Sequence, residues 1–517
     1  MLIVTAEITA YDTAIPGEVT LRYSTHGYVS GPTESPANTY WDNRIIQGGN
    51  FQRTMFQNQQ TFGQTQLGFG ELVLANFDGG LDALLNYSFG GRRIVIRLAD
   101  VVAGVVPTWT VIIDGLIEQA ELSWQTVRFR VRDKQLAVAK PLQQVRYGGT
   151  NALPAGLDGV AGDLKGRPKP LIYGQVFNAA APCVNTTRKI YQLHSGSALQ
   201  SVDAVYNRGA ALTAGAVYTS QADMETAAPA AGQYRVWNDA TAGCYVRLAD
   251  NTQGTLTFDA TQGAATANRT AGQLWSQILQ KAGVSAGAIS SADITALDTV
   301  APYACGIYVP ESRDMSAIEA IDMLCMSVGA WWGVDSGGTY RIAQLVLPNI
   351  ANSVTTLTAV NIVSIDRVAS RDAGAGMPAW KIKMGYQRIW FTQDDLTNAV
   401  TEVRKEFLAN EYRRVEANDN AILTANPTSP EIEINTVLVT EANASTEAAR
   451  RLSIYKQRRD FYQVTVRVDA TTAPLLDLGR TVTLQVNRFG MSSGKAFVIT
   501  GIQADLRQYL FTLTLWG

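Results

Sequence analysis

His26 and His194 are the only imidazoles in the 517 residues, and their scarcity bounds the chemistry available. Nucleophilic catalysis by a thiol or hydroxyl needs a general base within hydrogen-bond reach, usually imidazole. Cys183 and His194 are close in sequence, but no nucleophile elbow or helix-terminus context surrounds them, which argues against a thiol enzyme. The four cysteines, Cys183, Cys244, Cys305 and Cys325, include no CxxC pair. They are expected to be buried free thiols of a protein assembled in a reducing cytoplasm rather than metal ligands. HExxH and Cys/His clusters are missing, so no zinc site is expected. Gly494-Lys495 lacks the upstream glycine loop of a P-loop, and Gly68 and Gly70 lead into a strand, so no phosphate cradle is expected. Paired carboxylates are the one chemistry left open. Glu431 and Glu433 stand two apart on a predicted strand, which projects both from one face with backbones about 7 Å apart. That separation falls in the roughly 6.5–9.5 Å range of an inverting glycosidase. Ile432 and Ile434 alternate with them, however, and a plain amphipathic strand explains the same pattern. The expectation is a protein that is not an enzyme, with no catalytic, cofactor-binding or metal-binding residues and no cofactor.

The elements around these residues are mostly strands. Leu2 to Tyr11, Glu18 to Tyr23, Thr65 to Ala75, Arg93 to Leu98, Thr108 to Asp114 and Leu116 to Trp124 alternate with period two, whereas Gly27 to Gln60 reads as a long polar loop. Val127, Phe129 and Val131 alternate with Arg128, Arg130 and Arg132, giving an arginine ladder on one strand face. Acidic neighbours such as Glu118 and Glu121 make a solvated, ion-paired face the simpler expectation over a lumen or subunit contact. Short strands follow between Leu171 and Phe258. Thr270 with Gln273, and Ser316 with Glu319, make capping boxes for two helices that end at Gly283 and Gly329, and Trp331 to Leu345 makes a hairpin. A helix is predicted from Thr392 to Leu408, and another from Ala444 with Arg458 and Arg459 in its last turn. Four strands complete the chain. The fold expected is mainly β with α+β modules: tube-like antiparallel β-barrel domains plus a small α+β domain. The division expected is 1–150, 151–265, 266–355 and 356–517, as suits a chain too long for one ordinary core.

Charged residues are 17% of the chain, below the roughly 25% usual for soluble proteins, so much of its surface is free to pack against other subunits. Of 43 basic residues, 32 are Arg and 11 are Lys. Arg suits interfaces, although a GC-rich genome raises Arg as well. A net charge of -2 argues against a nucleic-acid binder that works through a basic surface, but not against a neutral channel that DNA crosses. Met1 to Tyr11 has no basic n-region, and neither a signal peptide nor a membrane segment is expected.

A family resemblance sits on four stretches. Leu478 to Leu484 reads LGRTVTL, and is followed by Arg488-Phe489-Gly490, Phe497-Val498-Ile499, Gly501-Ile502 and a closing Leu515-Trp516-Gly517. Gly68 to Gly79 reads GFGELVLANFDG, and is followed by Leu81-Asp82 and Gly91 to Arg97. The small α+β module from Thr270, and the segment from Phe407 to Val415, match as well. These stretches resemble the tail-tip, or baseplate, hub proteins of tailed bacteriophages, over roughly 1–135 and 270–517. The resemblance implies a structural virion protein of the tail tip, assembled in the host cytoplasm and forming a ring, a homotrimer, that continues the tail channel. Its opening domain would be related to the tail-tube subunit. Implied partners are the distal tail protein, the tape measure protein and other tail-tip and receptor-binding proteins, with DNA present only in transit at genome ejection. The alternative is a glycan-binding or glycan-cleaving multidomain β protein, with 171–265 as the binding module and Tyr234, Trp237 and Tyr245 as sugar-stacking platforms rather than core.

Overall fold

The strand Ile45–Thr54 joins the two ends of the chain. In the computed structural model, which describes residues 1–57, 61–252, 254–370 and 376–517, it pairs antiparallel with Gln66–Ala75 on one side and with Lys495–Asp505 on the other. The sequence reads this stretch as loop because Gly48-Gly49 interrupts its alternation, and the pairing shifts register there. Gly49 takes a φ of 114°, which a side chain rarely adopts, so the strand bends through the bulge and continues. Residues 58–60 of that expected loop lie outside the described residues.

The outcome is one 16-stranded sheet. Its order runs Ile362–Val368, Phe461–Arg467, Leu510–Trp516 and Lys495–Asp505, then Ile45–Thr54, Gln66–Ala75, Thr126–Arg132, Thr110–Leu122, Arg93–Asp100, Leu2–Asp12, Gly17–Ser24, Tyr40–Asn43 and Tyr28–Val29. Thr481–Gln485 branches from Lys495–Asp505 and carries Ser353–Thr358, while Tyr87–Ser88 joins Leu2–Asp12. Strands from both ends of the chain therefore share one apolar core, in which Leu72, Phe129, Val464, Phe497 and Leu513 are fully buried. The two strands expected on either side of Gly115 are a single strand, Thr110–Leu122. A Cβ on Gly115 would stand 2.4 Å from the Arg132 carbonyl oxygen, so the glycine marks a close approach rather than a break.

Two five-stranded sheets built between Leu171 and Val309 enclose a second core of Ile172, Val176, Leu193, Val205, Val246 and Phe258. A third core lies under the helices Ala271–Lys281 and Ala317–Val328, capped by Thr270 and Ser316 as predicted. Ser291–Val300, an unpredicted helix, stands between them with Ser290 as its cap. The hairpin Ala330–Val334 with Tyr340–Gln344 and the three-stranded sheet of Arg413–Asn418, Lys381–Tyr386 and Glu431–Asn435 complete this layer. The helix expected from Thr392 is only Glu402–Ala409. Leu396 and Val400 instead turn onto Gly209, and the Thr397 amide donates to the Arg208 carbonyl, a tertiary pairing that displaces the local helical register. Among the described residues no helix is long and apolar enough to cross a membrane.

The helix Glu441–Tyr455 ends before the expected Arg458, because Asp460 pairs its backbone with Gly517. A buried ion cluster fixes this helix in place. Glu447 accepts from Arg451 at 2.8 Å and from Arg450 at 2.7 Å, and Arg450 also donates to the Leu345 carbonyl. Glu447 and Arg451 are 0% and 1% exposed. Burial works to raise the Glu447 carboxyl, but the two guanidiniums outweigh it and hold it ionised. Removing one partner of such a pair leaves a charge stranded in the core. Glu447→Ala is expected to cost about 3–5 kcal/mol, read as an earlier midpoint in guanidinium-induced unfolding, while Glu402→Ala on the exposed helix leaves the midpoint unchanged.

Candidate functional site

The open carboxylate pair lies on Glu431–Asn435, and both members are matched by bases on the other two strands of its sheet. Glu431 meets Lys383 at 2.5 Å and Glu433 meets Arg414 at 2.8 Å. The Lys383 ammonium holds the Glu431 carboxyl below its usual range, whereas a general acid needs a raised one. Ile432 and Ile434 point into the core, as the amphipathic alternative requires.

His194 lies on Ile190–Ser195 with both ring nitrogens engaged. Nδ1 accepts from the Ile172 amide at 2.9 Å and Nε2 shares a hydrogen bond of 2.8 Å with Ser197. Burial, helped by Lys281, lowers its pKa to about 4, which keeps the ring neutral. Burial also pushes the Cys183 thiol up, away from the thiolate a nucleophile needs. The other three cysteines are buried, and all four are free thiols. Tyr234, Trp237 and Tyr245 are buried, and the last two stack on each other with ring centroids 5.4 Å apart. Their faces are core surface rather than sugar platforms.

The surface with a consistent chemistry is the outer face of the long sheet, opposite its core. Directly opposed residues share a face, and the registers can be followed across the join. One row runs Thr465, Thr512, Gln503, Gln52, Phe69 and Arg132; the next runs Arg467, Leu510, Asp505, Asn50, Glu71 and Arg130. None of these residues is fully buried. The arginine ladder occupies one end of this face, and each member has an acidic partner on an adjoining strand: Arg128 with Glu71 at 3.5 Å, Arg130 with Glu121 at 2.6 Å and Arg132 with Glu118 at 2.8 Å. Glu118 and Glu121 are the partners expected from sequence, and Glu71 is a third that strand order alone reveals. Three positive and three negative charges cancel, and the remainder of both rows is mainly hydroxyl and amide. A shallow groove of about 390 Å³ runs between Gln52, Glu71, Arg128, Arg130, Arg132 and Gln503.

Behind this sheet, a polar junction ties it to the hairpin and helix module. Arg53 donates to the Val334 carbonyl at 2.9 Å and pairs with Asp477 at 2.8 Å. Thr65 donates to the Trp332 carbonyl, and the Trp332 indole donates to Asp322 at 2.8 Å. Asp133 accepts from the amides of Gly68 at 2.7 Å and Gln135 at 3.0 Å. Burial raises the Asp133 carboxyl to about 7 and that of Asp322 to about 6. A cavity of about 250 Å³, with Trp331, Met55, Leu345 and Arg480 in its lining, lies against the same junction.

No known family model and no curated protein matches the chain. Among solved structures, the 43 kDa tail protein of prophage MuSo2 from Shewanella oneidensis is similar with a TM-score of 0.40 and 10% identity, over 93% of this chain and 96% of that one. A tail protein from Neisseria meningitidis MC58 is similar with a TM-score of 0.38 and 9% identity, over 100% and 96%. Prophage tail protein gp18 from Listeria monocytogenes EGD-e is similar with a TM-score of 0.35 and 9% identity, over 100% and 94%. Likeness at this level spans nearly the whole of each chain but assigns neither family nor activity.

The two buried carboxyls make stability depend on pH. Both hold their proton to higher pH in the folded chain than in the unfolded one, where a free aspartate titrates near about 3.9. Their contribution is therefore complete below about pH 4 and is lost as pH rises through about 6 to 7. The wild type is expected to melt at a higher temperature at pH 5 than at pH 8. The double variant Asp133→Asn with Asp322→Asn is expected to lose that difference and to reverse it, because His194, held neutral in the fold, favours the higher pH.

Proposed function

We propose that this chain is a non-enzymatic structural hub of a phage tail tip, and that three copies close into a ring whose lumen is the outer face of the long sheet. The observation that carries this reading is the pairing of Ile45–Thr54 with Lys495–Asp505, which makes two halves of one chain into a single continuous wall. A wall that a polyanion must cross without sticking needs polar groups that hydrate well and no net positive field. The balanced arginine ladder and the Thr, Gln and Asn rows meet that need. The long sheet also ends in open edges, Ile362–Val368 at one side and Tyr28–Val29 at the other. Unpaired edges invite another strand unless they are covered, and a closed ring of copies covers all of them. The resemblance of 68–97 and 478–517 to hub proteins supports a position at the tail tip, and the neighbours proposed there are the distal tail protein, the tape measure protein and receptor-binding proteins.

Light scattering across a concentration series is expected to show particles shifting towards three copies, with annular particles in electron micrographs; a strictly monomeric chain, alone and mixed with tail proteins, would contradict the ring. The wall itself has a separate check. The wild type is expected to show no salt-sensitive retention of duplex DNA. The triple variant Glu71→Gln, Glu118→Gln and Glu121→Gln, which leaves three unmatched arginines, is expected to bind DNA and to release it as salt rises.

A further inference from the structure

One end of the long sheet carries four large apolar side chains, three at turn tips and Leu85 on the short 3-10 helix Asp82–Asn86, where polar residues are usual. Trp124 is 90% exposed, Ile15 78%, Leu85 74% and Phe77 67%. Single exposed apolar residues are ordinary, but these four belong to one platform. The Thr13 amide donates to the Asn86 carbonyl at 2.9 Å, which ties the Ile15 turn to the Leu85 turn. The Asn76 amide donates to the Gln125 carbonyl at 2.7 Å, which ties the Phe77 turn to the Trp124 turn. The Asn76 side chain then reaches Asp82 at 2.9 Å and the Leu81 amide at 2.8 Å, so the Phe77 and Leu85 turns are joined as well. The Trp124 turn is held by Ser123, whose hydroxyl accepts from the Thr126 amide at 3.0 Å. The indole is thus presented on a braced backbone, so contact costs mainly the rotamer freedom of the indole itself.

The charge around these tips is one-sided. Asp12, Glu18, Asp42, Asp78 and Asp82 supply five carboxylates, against the guanidiniums of Arg44 and Arg92. Arg44 is held between Asp42 and Asp78, and Arg92 is bound to Glu18, so three negative charges stay uncompensated. A second copy offering the same rim would meet like charge with like charge. A surface with a braced Trp, three further apolar tips and an acidic surround fits a partner with an apolar socket bordered by Lys and Arg.

We infer that this rim is the docking surface for a second, different protein of the tail, one whose contact face is apolar at its centre and basic at its border. The inference rests on the hub reading, and the experiment separates the two. Full-length protein with Trp124 replaced by the photo-crosslinker p-benzoylphenylalanine is assembled into phage particles and irradiated, and the adducts are sequenced by mass spectrometry. The expected adduct joins position 124 to a different particle protein, at a segment with an apolar residue flanked by Lys or Arg. An adduct to a second copy of this chain, to an acidic segment, or to nothing in particles that contain the chain overturns the docking surface and leaves the hub in place. Absence of the chain from purified particles overturns the hub, and the inference with it. A second variant, Ile15→Ser with Phe77→Ser, Leu85→Ser and Trp124→Ser, replaces only exposed side chains. It is expected to keep the wild-type melting temperature and copy number in solution while its incorporation into particles falls at least tenfold. Unchanged incorporation would overturn the inference.

Discussion

Backbone hydrogen bonding between Ile45–Thr54 and Lys495–Asp505 is the constraint on which the architecture depends. Without it the chain would hold two sheets, each with an edge of unsatisfied amides and carbonyls. With it, residues separated by most of the chain lie side by side, and Phe51, Leu72, Ile502 and Phe511 belong to one core. The pairing also aligns the side-chain rows, so the chemistry of the outer face follows from a backbone fact. Gly70 makes room for it. A Cβ there would fall 2.1 Å from the Asn50 carbonyl oxygen, so the bulged strand is admitted only where its neighbour lacks a side chain.

The module behind the sheet works as a brace. Its hairpin touches the wall through Arg53 and Thr65, and through the Tyr340 hydroxyl, which donates to the Lys134 carbonyl. Arg451 and Arg450, both held by Glu447, lock the helix Glu441–Tyr455 to the helix Ala317–Val328 through the Met326 carbonyl and to the end of the hairpin through the Leu345 carbonyl. Buried polar contacts of this kind add little net stability but permit few alternative arrangements of the module against the sheet. Elsewhere most carboxylates are spent on matching bases, as Glu431 and Glu433 are, so the acidic rim around Trp124 differs from the neighbouring surface in charge as well as in polarity.

Much of this was legible in the sequence where local signals were strong. Thr270 and Ser316 cap helices that begin where expected, and the alternation of Val127, Phe129 and Val131 with three arginines placed both the core face and its outer partner correctly. Local signals failed where tertiary contacts decided the outcome. Ile45–Thr54 was hidden by its own bulge, Leu396 and Val400 have helical spacing but are drawn to Gly209, and Gly115 has the look of a break in what is one strand. The helix Ser291–Val300 did carry a signal, in Ser290 followed by Asp293, that the weak apolar stripe behind it obscured. The candidate face was half legible: its arginines are evident, but Thr465, Gln503 and Gln52 become neighbours only through long-range register.

That register has a consequence for synthesis. Between the end of Ile45–Thr54 and the start of Lys495–Asp505 the ribosome must add about 440 residues, which at 5–20 residues per second takes roughly 20–90 s. Throughout that interval the nascent N-terminal half carries an open strand edge, and Phe51 lacks its neighbours Ile502 and Phe511. A chain released early would keep that edge and would be open to chaperones, proteases or self-association, while only a chain translated through Trp516 completes the wall. On the ring reading proposed above, the fold couples entry into the ring to completion of translation.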